Sequence, residues 1–156
     1  MTYLTPSEVE GVLGGPAETV RPNRIVVTTP PNRTRWALQA ATSQLACDHL
    51  VQIAVIDTGQ EFEIVYVLTG AHRTLLSIRT RLPREAPRIR SVHDLLPPAG
   101  IYERQIHDLF GITFEGHPNL RRIILNEDWP EGEYPLRKDW TMDPAKWYGG
   151  GTKEVG

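Results

Sequence analysis

A chain of 156 residues with 40% hydrophobic and 23% charged residues and a formal net charge of −2 has the composition of one ordinary globular domain, with room for an extended tail. That balance argues against a nucleic-acid polycation, and the single cysteine, Cys47, excludes an internal disulfide and the thiolate sets that zinc or iron–sulfur clusters require. No run approaches the roughly 20 apolar residues that span a bilayer, and Met1 to Gly15 lacks the basic opening and apolar core of a signal peptide. The expectation is an intracellular protein that reaches a membrane only through a partner.

In chain order, Thr5-Pro6-Ser7-Glu8 predicts a helix start: Thr5 caps, Pro6 suits the first turn and Glu8 completes a capping box. Val9, Val12 and Leu13 form its apolar stripe, and Gly14-Gly15 end it. Val20 to Thr28 alternates and is rich in β-branched residues, which predicts a first strand. A longer helix follows Pro30-Pro31, with Trp36, Leu38, Ala40, Ala41, Leu45 and Ala46 on its apolar side up to Asp48. Leu50 to Asp57 and Glu61 to Leu68 alternate in turn and are joined by Thr58-Gly59-Gln60, the pattern of an antiparallel hairpin. A third strand over about Arg73 to Arg81 extends this meander. The order β, α, β, β, β predicts an α+β fold, an antiparallel-rich sheet covered by helices.

Beyond Leu82, prolines 83, 87, 97, 98, 118, 130, 135 and 144 leave space only for short helices, and the best runs from about Ile101 to Phe110 before Gly111. From Pro118 onward the chain reads as an extended arm that holds Trp129, Trp140 and Trp147. Tryptophans on a segment too irregular to make its own core need a surface to lie on. The expected organisation is a compact α+β domain over 1–114 that ends in the short helix, and an arm over 115–156.

Candidate chemistry is sparse. Glu103 and His107 sit one turn apart on the short helix, but no second His/Glu pair lies at a metal-binding spacing. His49, His72, His93 and His117 are scattered, and no serine or cysteine carries a nucleophile turn. The glycines make no phosphate cradle. Between His72 and Arg90 six arginines (Arg73, Arg79, Arg81, Arg84, Arg88, Arg90) face one acid, Glu85, and Arg79 and Arg81 point to the same side of a strand. Without interleaved aromatics this run favours a solvated sheet face or a protein interface over RNA. The arm mixes arginines with aromatics, the composition of interface hot spots. No catalytic residue, metal ligand or cofactor-binding residue is expected in the chain.

Glu103-Arg104-Gln105-Ile106-His107-Asp108-Leu109-Phe110-Gly111, together with Gly116-His117-Pro118-Asn119-Leu120-Arg121-Arg122-Ile123, Asp128-Trp129 and Pro135-Leu136-Arg137-Lys138-Asp139-Trp140, resembles the thirty-kilodalton subunit family of respiratory complex I. Counterparts of that family occur in membrane-bound nickel–iron hydrogenases and other complex I-like assemblies. The resemblance runs from near Pro83 to Trp140. It departs at Gln105, where the family usually has a second glutamate.

The resemblance implies a cofactor-free, non-catalytic subunit of the peripheral arm of a membrane-bound electron-transfer assembly of the NADH:quinone oxidoreductase type. Partner subunits would hold the iron–sulfur clusters, with flavin or nickel–iron. It also implies packing against a large catalytic-type subunit and an iron–sulfur subunit, on the cytoplasmic side of the cell membrane. By the same resemblance, Glu103, Arg104 and Asp108 hold the signature helix against the arm or the large subunit, His117, Arg121 and Arg122 fix the turn after it, and Leu136, Arg137, Lys138 and Asp139 dock the arm on the partner. Two alternatives stand beside this reading: the equivalent subunit of an energy-converting nickel–iron hydrogenase, and a free-standing RNA- or protein-binding module using the arginine-rich strand.

Overall fold

The first helix, α1 (Pro6–Leu13), begins as its sequence predicts: the Thr5 N–H donates to the Glu8 carboxylate at 2.7 Å, and the Glu8 N–H donates to Thr5 Oγ1 at 3.3 Å. Gly14, at φ +72°, turns the chain out of the helix in the left-handed conformation that glycine adopts without penalty. These and all following details come from a computed structural model that describes residues 2–149.

The expected single strand over Val20 to Thr28 is instead a hairpin, β1 (Ala17–Arg21) and β2 (Arg24–Thr28), paired antiparallel. Pro22-Asn23 is the reason: proline sets φ for a turn and removes a ladder donor, and asparagine tolerates the reversal. The second helix, α2 (Pro31–Gln44), stops short of Asp48 and buries Thr34, Ala37, Leu38, Ala40 and Ala41. Trp36, expected on its apolar side, is 44% exposed, and the Arg33 guanidinium lies over its ring at 4.6 Å.

The strands β3 (His49–Asp57), β4 (Glu61–Thr69) and β5 (Leu75–Pro83) form the expected meander. The five-stranded sheet has the order β1-β2-β5-β4-β3. Its one departure from antiparallel pairing is β2 beside β5, in parallel register from Arg24↔Leu75 to Thr28↔Arg79. Alternation on β4 divides the faces: Phe62, Ile64, Tyr66 and Leu68 are fully buried, while Glu63, Val65, Val67 and Thr69 point the other way. Residues of α1 and α2 join this buried face in one core cluster, each large side chain contributing about 1.5–3 kcal/mol of transfer free energy.

The third helix, α3 (Ala99–Phe110), adds Ala99 and Ile106 to that core and ends at Gly111, φ +76°. A short parallel pair, β6 (Arg88–Arg90) and β7 (Thr113–Glu115), escapes the sequence because three residues carry no readable period. Together these elements make an α+β fold with a mostly antiparallel sheet and three helices.

From Gly116 to Gly149 the described chain contains no further helix or strand. The arm nevertheless gathers a half-buried aromatic cluster of its own, which its irregular sequence does not lead one to expect. Trp129 stacks within 5.8 Å of Trp140 and 4.8 Å of Tyr148, and the Glu133 carboxylate accepts from Trp140 Nε1 at 2.5 Å and Lys146 Nζ at 2.7 Å.

Candidate functional site: the signature helix and its arm

Every turn of α3 carries a side chain that fastens something to it. Asp108 is buried, and its Oδ2 accepts three consecutive backbone N–H groups of the arm, from Ile123 at 2.7 Å, Ile124 at 2.9 Å and Leu125 at 3.2 Å. A carboxylate is the acceptor for this task because charge-assisted bonds to N–H are about twice as strong as neutral ones. One turn earlier, Arg104 donates from Nε to the Arg121 carbonyl and from Nη2 to the Arg122 carbonyl, each at 3.0 Å. The two residues therefore hold the arm backbone by its donors and its acceptors, a few residues apart.

Glu103 turns the other way. Its carboxylate, fully buried, accepts from the Val92 N–H at 2.8 Å and the Ser91 hydroxyl at 2.6 Å, so it ties the segment after β6 to α3 and does not reach the arm. Burial pushes its pKa up, against the lowering effect of those two donors. On the far side of the same segment Arg35 of α2 donates to the Ser91 carbonyl and chelates Asp94 at 2.7 and 2.6 Å.

His117 bridges α3 to the turn that follows. Its Nε2 lies 2.9 Å from the Gly100 carbonyl and its Nδ1 accepts the Asn119 N–H at 3.0 Å, which sets the neutral tautomer with the proton on Nε2. Arg121 donates from Nε to Asn119 Oδ1 at 2.6 Å, and Arg122 donates to the Asn126 and Glu127 carbonyls at 3.1 Å.

The second half of the arm returns to the end of α3. The Leu136 N–H donates to the Leu109 carbonyl at 3.1 Å, and Arg137 Nε donates to the Phe110 carbonyl at 2.7 Å. The Lys138 N–H donates to Asp57 Oδ2 at 2.8 Å, and Arg84 pairs with both Asp57 and Asp139. Burial raises the Asp57 carboxyl, but the Arg84 guanidinium and the Lys138 and Gly59 N–H groups outweigh it and hold the pKa down to about 2. Gly111 is required where the arm crosses: its positive φ aside, an added Cβ would run into the Tyr134 ring.

Of the residues singled out in the sequence, Arg104, Asp108, His117, Arg121, Arg122, Arg137, Lys138 and Asp139 thus come together along α3, the turn and the arm. Leu136 and Lys138 do so through their backbone N–H groups, and both residues are exposed. Asp57, Arg84 and Ser91 were missed. Arg84 lay within the arginine run, and Asp57 showed only as the last residue of a strand before Thr58-Gly59-Gln60. Among the described residues no group of three His, Cys, Asp or Glu is placed to hold a metal, and no helix is long and apolar enough to cross a membrane.

The family model described as respiratory-chain NADH dehydrogenase, 30 Kd subunit, matches residues 27–146, a span that takes in α2, β3 to β5, the signature helix and most of the arm. The chain belongs to this family. A subunit of the F(420)H(2) dehydrogenase of Methanosarcina mazei is 35% identical over 128 residues, covering 80% of each chain. NADH-quinone oxidoreductase subunit 5 of Thermus thermophilus is 51% identical over 89 residues, covering 53% of this chain but 42% of that protein. Among solved structures, a chain of the membrane-bound sulfane sulfur reductase, an archaeal respiratory membrane complex, superposes with a TM-score of 0.73 at 31% identity, over 86% of this chain and 84% of that one. A trypsin-resistant fragment of Nqo5 superposes with a TM-score of 0.61 at 30% identity, over 73% and 95% of the two chains. The 30 kDa subunit fold is therefore shared, while this chain spans less than half the length of the Thermus protein.

Proposed function

We propose that this 30 kDa-type chain is a non-catalytic, cofactor-free structural subunit in the peripheral arm of a membrane-bound, complex I-like electron-transfer assembly. In that assembly it packs against the large catalytic-type subunit and lies near an iron–sulfur subunit, with its arm residues Leu136, Arg137, Lys138 and Asp139 continuing onto the partner. Its attachment to the membrane is peripheral, on the cytoplasmic side, through those partners. Iron–sulfur clusters and the other redox groups belong to the neighbours.

The observation that carries this reading is the way the polar groups of the signature region are used. Glu103, Arg104, Asp108, His117 and Arg122 are each engaged with backbone groups of their own chain. Such a site fixes a shape, since these side chains are spent on the backbone that they hold. The contribution to electron transfer is then positional: a rigid neighbour keeps redox centres and the acceptor pocket of the large subunit at fixed separations. The near full-length matches to the Methanosarcina dehydrogenase subunit and to the sulfane sulfur reductase chain favour a compact assembly of that kind.

The test is purification of a tagged full-length chain from solubilised membranes of its own host, followed by native electrophoresis and metal analysis. Comigration with a large subunit and several iron atoms is the expected result, and nickel in the same band assigns the complex to the hydrogenase branch. A chain that migrates alone, or that binds a redox group or turns over substrate by itself, overturns the proposal. Salt-sensitive RNA binding by the isolated chain would favour the nucleic-acid alternative.

A further inference from the structure

The ladder between β6 and β7 can be followed bond by bond. The Thr113 N–H donates to the Pro87 carbonyl at 2.9 Å and the Ser91 N–H donates to the Glu115 carbonyl at 2.8 Å, in the parallel register Arg88↔Thr113 to Arg90↔Glu115. In that register the peptide groups of Ile89 face β7, so the N–H and C=O groups of Arg88 and Arg90 point the opposite way. No hydrogen bond among the described residues engages them. The other strand edges are closed in the ways that exposed edges usually are. On β1 the register slips at Val20 and the Ala17 N–H donates to the Glu10 carboxylate at 2.8 Å. On β3 it slips at Val51, whose carbonyl accepts the Tyr102 hydroxyl at 3.1 Å, and on β7 the Phe114 carbonyl accepts the His117 N–H at 3.3 Å.

A groove of about 370 Å³ runs between α2 and β6, lined by Pro31, Asn32 and Arg35 of the helix and by Arg88, Ile89 and Arg90 of the strand, with Glu115 beside them. Open peptide groups along a groove are what an added strand pairs with, and neither a lipid nor a helix offers a matching row of N–H and C=O groups. Arg88 and Arg90 stand exposed on one side of β6 with Ile89 buried between them. A second copy meeting this edge about a two-fold axis would pair antiparallel, with Ile89 opposite its own copy and Arg88 opposite Arg90 on both sides of the axis, like charge on like charge. The edge therefore suits a different chain. Glu115 lies 3.6 Å from Arg88, Asp94 is taken by Arg35, and Glu85 precedes Pro87, outside the ladder. Arg90 forms no ion pair among the described residues. We infer that β6 takes an extended segment of a neighbouring protein subunit as a third strand, laid in the groove beside α2, with an Asp or Glu opposite Arg90. This inference rests on the assignment of the chain as a subunit of a larger assembly.

The readout is hydrogen exchange at the Arg88 and Arg90 amides, measured on the full-length chain alone and within the purified complex. Both are expected to exchange quickly in the free chain and more than about tenfold more slowly in the complex. Arg90→Pro removes the outward N–H at an edge position that proline tolerates, whereas Arg90→Ala removes the side chain and keeps the donor. The proline variant is expected to be retained in the complex about fivefold less well than the alanine variant, the worth of about one net hydrogen bond. Exchange in the parent chain decides the matter if the proline variant does not fold. A photo-crosslinking residue at position 32, on the helix side of the groove, is expected to capture a segment of another subunit that carries Asp or Glu. Equal exchange in both states, equal retention of the two variants, or crosslinks confined to a second copy, to lipid or to the chain itself overturn the inference. A chain that enters no larger complex overturns the subunit assignment and this inference together, whereas a complex in which these amides exchange freely overturns the inference alone.

Discussion

Asp108→Ala is the substitution that most directly separates the arm from the domain. It removes the single oxygen that accepts the Ile123, Ile124 and Leu125 N–H groups at 2.7, 2.9 and 3.2 Å. Hydrogen bonds to a charged acceptor are worth about 1.5–3 kcal/mol each when isolated. Three donors on one oxygen share its charge, the third is long, and the released amides lie on a partly exposed segment where water replaces the lost partner. The working figure is therefore about 2–3 kcal/mol of local stability, or roughly a 30- to 140-fold loss of amide protection at about 1.4 kcal/mol per tenfold. Native-state hydrogen exchange followed residue by residue is the assay. The loss should be confined to the arm around 121–126, with the amides of β4 and β5 unchanged. Asp108→Asn keeps a carbonyl in the same place and should lose about half as much on the logarithmic scale, since the charge is removed and the acceptor retained. Unchanged protection of Ile123 to Leu125 in Asp108→Ala would refute the reasoning, because it would mean that the arm path is fixed without this carboxylate.

Acidification acts through Asp57, whose carboxyl is held down to about 2 in the folded chain against an ordinary value of 3.8. The stability it contributes is present above that ordinary value and is lost as pH falls through about 2, so urea midpoints should decline over this window less steeply in Asp57→Asn than in the parent. Glu103 has the opposite sign: its pKa is raised by burial, so its contribution is greatest below the ordinary glutamate range and is lost as pH rises. The stability of Glu103→Gln relative to the parent should therefore improve as pH increases, while Glu103→Ala, which strands the Ser91 hydroxyl and the Val92 N–H, should lose about 3 kcal/mol in denaturant titrations. Gly111→Ala combines a left-handed φ with a clash against Tyr134 and should lower the melting temperature by on the order of 5 °C in calorimetry. Cys47, buried and with its thiol pKa pushed up to about 11, should resist thiol reagents at neutral pH until the chain is unfolded.

What could be read from the sequence was what neighbouring residues decide among themselves. The Thr5–Glu8 capping box, the Gly14 and Gly111 stops and the β3–β4 turn involve contacts within a few positions, and each stands where the residues place it. Pro22-Asn23 carried an equally local turn signal, but the outward residues of β1 and β2 blurred the two strands into one apparent run. The parallel union of β2 with β5 joins residues about fifty positions apart, and no local pattern encodes it. The same distinction governs the site. That Glu103 and Asp108 belong to one helix was plain, but five positions put them on different sides of it, and only the surrounding chain decides that one meets Ser91 and the other the arm. Asp57 was invisible as an anchor because its partners, Arg84 and Lys138, lie far along the chain.

Around Arg121 to Leu125 the arm is gripped by its peptide groups. Asp108 accepts its amides, and Arg104 donates to its carbonyls. Peptide groups are the same in every residue, so these grips prescribe a route without prescribing what travels along it. Ile123 and Ile124, 39% and 53% exposed, are held by their amides and leave their side chains facing outward. A lineage can therefore rewrite the outward lettering of the arm to suit a different neighbour while the course of the chain stays unaltered, and one scaffold can serve several machines.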